Sequence, residues 1–384
     1  MPQASVVVVG GGVLGAWIAR TLAARSARVT LVEAGEPGCG ASCASFAWVN
    51  AHNKQPESYF RLNAGGMAAY HRLAAEGTGA DWFHAVGNLE VAVDEASSRA
   101  LDATFKGLLA RGYEARRVTY REAVELEPLL GGGSGGDRIA DAAYFPAEGW
   151  VDVARMIAQL LTDLRANGGE VRTRTRVAGF EQAGGRTAVV LDGGERLAAD
   201  FVVCAAGTST EPLLATAGIE LPLIAETDLR LRAPGDERYR SLGSLVDTAP
   251  LRTPLRRVVH TPQVGMRPTA SGRVVIGADG SGSRVPRAEI FGSGPSVLAR
   301  AATAVPGLAD TVVDRVRIGV RPLPADELTA AGFADPATAP GLYAVVTHSG
   351  VTLAPHLARL IAAELLDEAQ SAELADFRPD RFRG

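Results

Sequence analysis

Lysine is almost missing from this chain: among 39 basic residues only Lys54 and Lys106 are lysines, so cationic chemistry elsewhere falls to arginine and histidine. Cysteine is nearly as scarce. Cys39, Cys43 and Cys204 are too few and too scattered for a disulfide framework, and the first two lack the further Cys or His of a zinc site. No metal site is therefore expected. With a formal charge of -4 there is no basic excess to attract nucleic acid or anionic lipid. Long apolar runs are absent too. The stretch Val6 to Val9 meets Gly10 at once and follows no basic segment, so neither a secretion signal nor a membrane span is expected, and the expected location is cytoplasmic. No internal repeat is visible.

What is there is a chain of 384 residues, 47% hydrophobic and 21% charged, the composition of a globular protein with room for two domains. Ser5 to Val9 reads as a buried strand, Gly10 to Gly15 as a tight turn, Ala16 to Arg25 as a helix and Arg28 to Glu33 as a second strand, together the size of a βαβ unit. Further on, helices are expected over Glu57–Ala75, Leu101–Arg111, Val151–Asn167 and Leu353–Glu368. Strands are expected over Asn88–Val93, Glu170–Phe180, Phe201–Ala206 and Leu342–Thr347. Gly131–Gly136 reads as a surface loop. Between Leu221 and Gly277 short strand-like pieces broken by proline, including Leu229–Ala233, Val258–His260 and Arg273–Gly277, suggest an antiparallel sheet in a second module.

Gly10, Gly12 and Gly15 form G-x-G-x-x-G, with Val13 and Leu14 inside it, directly after a strand and at the opening of a helix. Glycines at these places permit the turn, let a diphosphate approach the backbone, and let helix pack on strand, while the helix N-terminus offers N–H groups to the diphosphate. Glu33, followed by Ala34, closes the second strand at the spacing where an acid accepts hydrogen bonds from an adenosine ribose. An acid there repels a 2′-phosphate, which leaves FAD and NAD.

Several stretches together resemble the D-amino acid oxidase superfamily, in particular its glycine oxidase and sarcosine oxidase branch. They are VVVVGGGVLGAWIARTLAARSARVTLVEAG, GCGASCASFAWVNAH, FPAEGWVDVARMIAQLLTDLRANGGEV, FVVCAAG, GMRPTASGRVVIG, GVRPLP and GLYAVVTHSGVTLAP, spread from Val6 to about Leu366. The resemblance implies FAD on Gly10, Gly12, Gly15 and Glu33, with Gly40, Ala41 and Ser42 along the diphosphate and ribityl chain. It also implies Val177 at the adenine, Ala206 and Gly207 closing a strand of the flavin domain, and Gly350, Val351 and Thr352 presenting N–H groups to the flavin pyrimidine. A helix N-terminus there favours negative charge on the ring.

Enzymes of this family take a hydride from the carbon bearing an amine and pass the electrons to oxygen, giving an imine and hydrogen peroxide. By resemblance, Arg321 grips the substrate carboxylate, and His348 stands where glycine oxidases carry a second arginine. The chain also departs from the family. Gly265 stands where a tyrosine is usual, which implies added room for a bulkier or N-substituted amino acid. No cysteine follows Cys204, so FAD is expected to be noncovalent; no lysine follows Lys106, so His260, Arg267 or Lys54 would have to supply any positive charge that promotes oxygen use.

The fold expected from these readings is α/β: a discontinuous Rossmann-like FAD-binding domain of the glutathione reductase type over 1–85, 150–222 and 305–384, with an inserted antiparallel-sheet substrate domain over 86–149 and 223–304. The expected activity is FAD-dependent oxidation of a CH–NH or CH–NH2 group in a small amino acid or amine, with O2 as acceptor. The alternatives are a dehydrogenase of an amino or 2-hydroxy acid that uses a quinone or carrier, and a noncatalytic flavin-binding protein.

Overall fold

The computed structural model describes residues 3–79, 81–131, 139–226, 239, 241–278, 283 and 286–383. The expected strand Leu229–Ala233 and most of the loop Gly131–Gly136 lie outside them.

A six-stranded sheet orders Ala330–Asp335, Ala339–Val346, Phe201–Cys204, Ser5–Val9, Arg28–Val32 and Glu170–Arg172, parallel except for the first pair. Ser5–Val9 is central and buried at every position, which is why its sequence is an unbroken apolar run rather than an alternating one. The helices Val13–Ala24, Glu57–Ala75, Val153–Ala166 and Gly350–Leu366 share one hydrophobic core with this sheet. A three-stranded antiparallel sheet, Val177–Ala183, Arg186–Leu191 and Arg196–Ala198, forms another core with it.

Eight further strands form a second large sheet in the order Val313–Val320, Leu242–Thr248, Val274–Gly277, Gly265–Pro268, Val258–His260, Asn88–Ala92, Asp141–Phe145 and Arg116–Arg117. One face carries its own apolar core, including Val246, Met266, Ile276, Val259 and Leu89. The expectation of an antiparallel sheet needs one correction, because Val258–His260 pairs with Asn88–Ala92 in parallel. Those strands come from distant stretches, so no hairpin sets their relative direction. Val313–Val320, which the sequence reading placed with the FAD-binding stretch, also pairs in this sheet.

Local chemistry explains where element ends differ from expectation. The helix expected from Leu101 begins at Glu95, because Asp94 and Ser97 make a reciprocal capping box. Val151 belongs to the strand Gly149–Val151, and the next helix begins after Asp152, whose carboxylate accepts the Arg155 N–H at 3.1 Å. The strand expected over Glu170–Phe180 is split in two, and Arg174 in the gap has φ +52°, which no strand accommodates. The last long helix begins at Gly350 rather than Leu353.

Candidate active site

The dinucleotide end lies where Ser5–Val9 and Phe201–Cys204 finish. The Gly10 N–H donates to Val32 O and the Ala205 N–H to Val9 O, both at 2.8 Å, so the strand ends are tied together under the turn. Gly10 has φ +105°, and a Cβ there would stand 2.5 Å from Ala205 O; a Cβ on Gly15 would stand 1.8 Å from Gly10 O. Gly12 faces Ser42, whose Oγ accepts the Val13 N–H at 3.1 Å, so the expected diphosphate loop sits on the start of this helix. The start of the Gly350 helix is its neighbour, since a Cβ on Gly350 would lie 3.4 Å from Val13 Cγ2. Gly350, Val351 and Thr352 form that first turn, where N–H groups lack intrahelical partners.

The other cofactor candidates gather around these helices. Gly40 and Ala41 precede Ser42 in its loop, and Ala34 is exposed beside Glu33. Val177 is brought near by a bond from the Thr175 N–H to Glu33 O at 2.9 Å, while Ala206 and Gly207 form the turn after Phe201–Cys204, Gly207 with φ +59°. Glu33 has a role the sequence did not reveal: its two oxygens accept the N–H groups of Gly11 and Gly35, each at 2.7 Å. Each carboxylate oxygen keeps a second lone pair for a ribose hydroxyl. A glycine-floored turn, paired helix starts and an acid at the strand end fit the adenosine diphosphate half of FAD.

Opposite this end stands the face of the eight-stranded sheet that its own core leaves uncovered. Cross-strand pairing sets Arg317, Leu245, Gly277, Gly265, His260 and Glu90 in one row. The chain after Ser42 bridges the two parts. Thr352 Oγ1 donates to Trp48 O at 3.2 Å, and the Trp48 ring lies 4.0 Å from His260. The Phe46 ring lies edge-on to His260 at 5.7 Å. His260 keeps some accessible surface.

Behind Trp48 is a buried polar cluster. Glu148, with no exposed surface, accepts from Trp48 Nε1 at 2.7 Å and Tyr113 OH at 2.6 Å, and stands 2.7 Å from His52 Nε2. Burial works against charge on His52, but the Glu148 carboxylate, with Glu90 beyond it, holds its pKa above the ordinary histidine value. His260 Nδ1 donates to Asn88 Oδ1 at 2.9 Å. Burial, followed by the charge of His52, pushes its pKa down to about 3.

Of the four residues expected at the substrate, His260 and Arg267 lie on adjacent strands, His260 opposite Gly265. Arg321 ends its strand with its guanidinium against Gly243, where a Cβ would lie 3.0 Å from Nη2. Arg267 lies in register with Val275, Asp247 and Arg315, so the Arg321 backbone is three strand spacings away, roughly 14 Å, and beyond the end of that strand. Arg267 is committed to the carbonyls of Phe46 and Pro268 and to the Trp150 ring, 5.0 Å away. His348 is exposed in the turn before the Gly350 helix. His260 is uncharged at neutral pH and cannot be the positive charge sought for oxygen, and Lys54 stands 5.7 Å over the Tyr59 ring.

Nor does Gly265 leave open space. A Cβ there would stand 2.8 Å from the His260 ring and 3.4 Å from the Phe46 ring, because both side chains lean over it. Phe46, Trp48, Asn88, His52 and Glu148 were not identified from sequence. The first two sit in the quoted flavin loop at alternate positions, a signal that could have marked them. Glu148 carries no such signal, being 100 residues from the indole it holds.

A glycine-floored turn, paired helix starts over a parallel sheet and an acid at the strand end are the features of a dinucleotide-binding flavoprotein. The chain belongs to the DAO family of FAD-dependent oxidoreductases, whose profile matches residues 5–364. It is 28% identical to glycine oxidase of Geobacillus kaustophilus over 99% of this chain and 97% of the relative, and the crystal structure of glycine oxidase from that organism superimposes with a TM-score of 0.81, 27% identity and full coverage of both chains. Iminodiacetate oxidase from Chelativorans shares the fold at a TM-score of 0.79 and 24% identity, covering 97% of this chain and 98% of that one.

Proposed function

We propose that the protein oxidises a small amino acid or secondary amine bearing a carboxylate, taking a hydride from the carbon next to nitrogen and leaving an imine, with O2 accepting the electrons and yielding H2O2. The observation that carries this is the cluster of Phe46, Trp48 and His260 on the sheet face, which Thr352 joins to the start of the Gly350 helix. Bound FAD supplies the hydride acceptor. Gly10, Gly12, Gly15, Ser42 and Glu33 hold its adenosine diphosphate half, and the first turn of the Gly350 helix meets its ring. Arg321 anchors the substrate carboxylate from the sheet edge, since a planar fork can bond both oxygens. The aromatic wall keeps water from the reacting carbon. FAD is held noncovalently, and the FAD-binding part comprises the stretches 1–85, 150–222 and the chain after Val320.

A dehydrogenase that uses a quinone or carrier is the second reading. It is favoured by the uncharged His260 and by the absence of lysine after Lys106. An anaerobic screen of amino acids and N-alkyl glycines should find one that bleaches the flavin, and aeration should then restore the colour with release of peroxide. Bleaching without reoxidation by air selects the dehydrogenase. No bleaching by any amine overturns the amine reading.

A further inference from the structure

We propose that Phe46 sets the size of substrate this site accepts and that Arg267 is its positioning residue; this rests on the reading that substrate lies between the sheet and the flavin. Gly265 and Gly277 are cross-strand partners at the centre of the row, between Leu245 and His260. Two adjacent glycines make a trough in the sheet face. The Phe46 ring fills it, since a Cβ on either glycine would stand 3.4 Å from that ring. Phe46 belongs to none of the hydrophobic cores and stays partly accessible, although its neighbour Ala47 is buried. A large apolar side chain held out of the cores and laid over the sheet face beside His260 is a wall rather than a packing element.

The wall is held from its backbone. Arg267 Nε donates to Phe46 O, Nη1 donates to Pro268 O at 3.0 Å, and the guanidinium rests on the Trp150 ring. Arg267 is only 7% exposed and has no carboxylate within ion-pair distance among the described residues. A buried cation whose neighbours are carbonyls is held by those hydrogen bonds, so the Phe46 carbonyl and the arginine fix each other. With Phe46 in place the space beside His260 suits a small substituent on nitrogen or the α-carbon. Without the ring, the trough accepts an aryl or branched one.

The test uses purified holoenzyme and anaerobic flavin reduction by N-methylglycine, N-butylglycine and N-benzylglycine, together with binding of acetate and 3-phenylpropanoate read from flavin absorbance. Phe46→Ala should raise the N-benzyl to N-methyl ratio of kcat/KM, and the phenylpropanoate to acetate ratio of affinity, at least about tenfold, or about 1.4 kcal/mol. Phe46→Trp should lower both, and it serves if the alanine variant does not fold. Arg267→Met should move the ratios the same way through KM more than kcat, and add little in the Phe46→Ala background. A role of Arg267 in stability alone would slow all substrates alike and leave the ratios still. Ratios within twofold of wild type in Phe46→Ala overturn the proposal. If no amine reduces the wild type, the amine reading falls, and the carboxylate ratio still decides Phe46.

Discussion

Arg321 leaves its strand with its N–H donated to Ser241 O at 2.6 Å, so its backbone is anchored independently of its side chain. Truncation to Ala leaves that bond in place and should act on substrate. Leaving a desolvated carboxylate unpaired costs about 3 to 5 kcal/mol, which predicts a fall of roughly two to four decades in anaerobic reductive kcat/KM, with FAD content and Tm unchanged. Arg321→Lys should recover part of the loss. A variant reduced as fast as wild type by a carboxylate-bearing amine places the anchor elsewhere. His260 gives a prediction of another kind. Its folded pKa of about 3 lies below the ordinary value near 6.5, so between these the unfolded chain binds the extra proton and stability falls on acidification, by up to about 1.4 kcal/mol per pH unit. His260→Phe should lose less stability than wild type between pH 7 and 4.5 in denaturant titrations. Equal losses would mean that the imidazole is not the group responsible.

The last long helix, Gly350–Leu366, starts beside Val13 at the dinucleotide turn and is pinned at its other end. Glu364 accepts from Arg378 at 2.9 and 2.6 Å, from Tyr343 OH at 2.7 Å and from the Ser371 N–H at 2.8 Å. Burial raises its pKa, but the bonds from Arg378, Ser371 and Tyr343 outweigh that and hold it below the usual carboxylate value. The pair therefore stabilises the fold above the unfolded pKa of about 4.3, and this is lost as pH falls through the lower folded value. Glu364→Gln should cost roughly 2 to 4 kcal/mol at pH 7, less than for a fully buried pair because Arg378 keeps 22% of its side chain exposed. The deficit should narrow in acid; one that stays constant down to pH 3 would show that the charge is not what matters. At this scale much was legible, since caps and glycine turns act over a few residues. What was misjudged turned on single residues, such as Arg174 in a left-handed conformation and Asp152 as a cap.

For the molecule as a whole, cofactor attachment follows from where the thiols lie. Cys204 is buried in the core beside the three-stranded sheet, with its pKa pushed up to about 12 by burial, and Cys43 is also raised by burial and by Cys39. Acid precipitation should therefore release intact FAD into the supernatant. Colour retained in the pellet would mean a covalent bond, with Cys39 and Cys43 the first positions to test.

The sequence by itself determined most of the dinucleotide end: Gly15 closes on Gly10, Glu33 accepts the Gly11 and Gly35 N–H groups, and Val6 to Val9 pair with the next strand of the same βαβ unit, so their spacing carries their meaning. The face of the eight-stranded sheet proposed for substrate was decided by tertiary structure alone. Asn88 meets His260 across 172 residues, Arg267 reaches Phe46 across 221, and Gly265 faces Gly277 through strand register. Residues so far apart in the chain share a wall only after two sheets have packed and fixed their register, and local spacing holds no record of that.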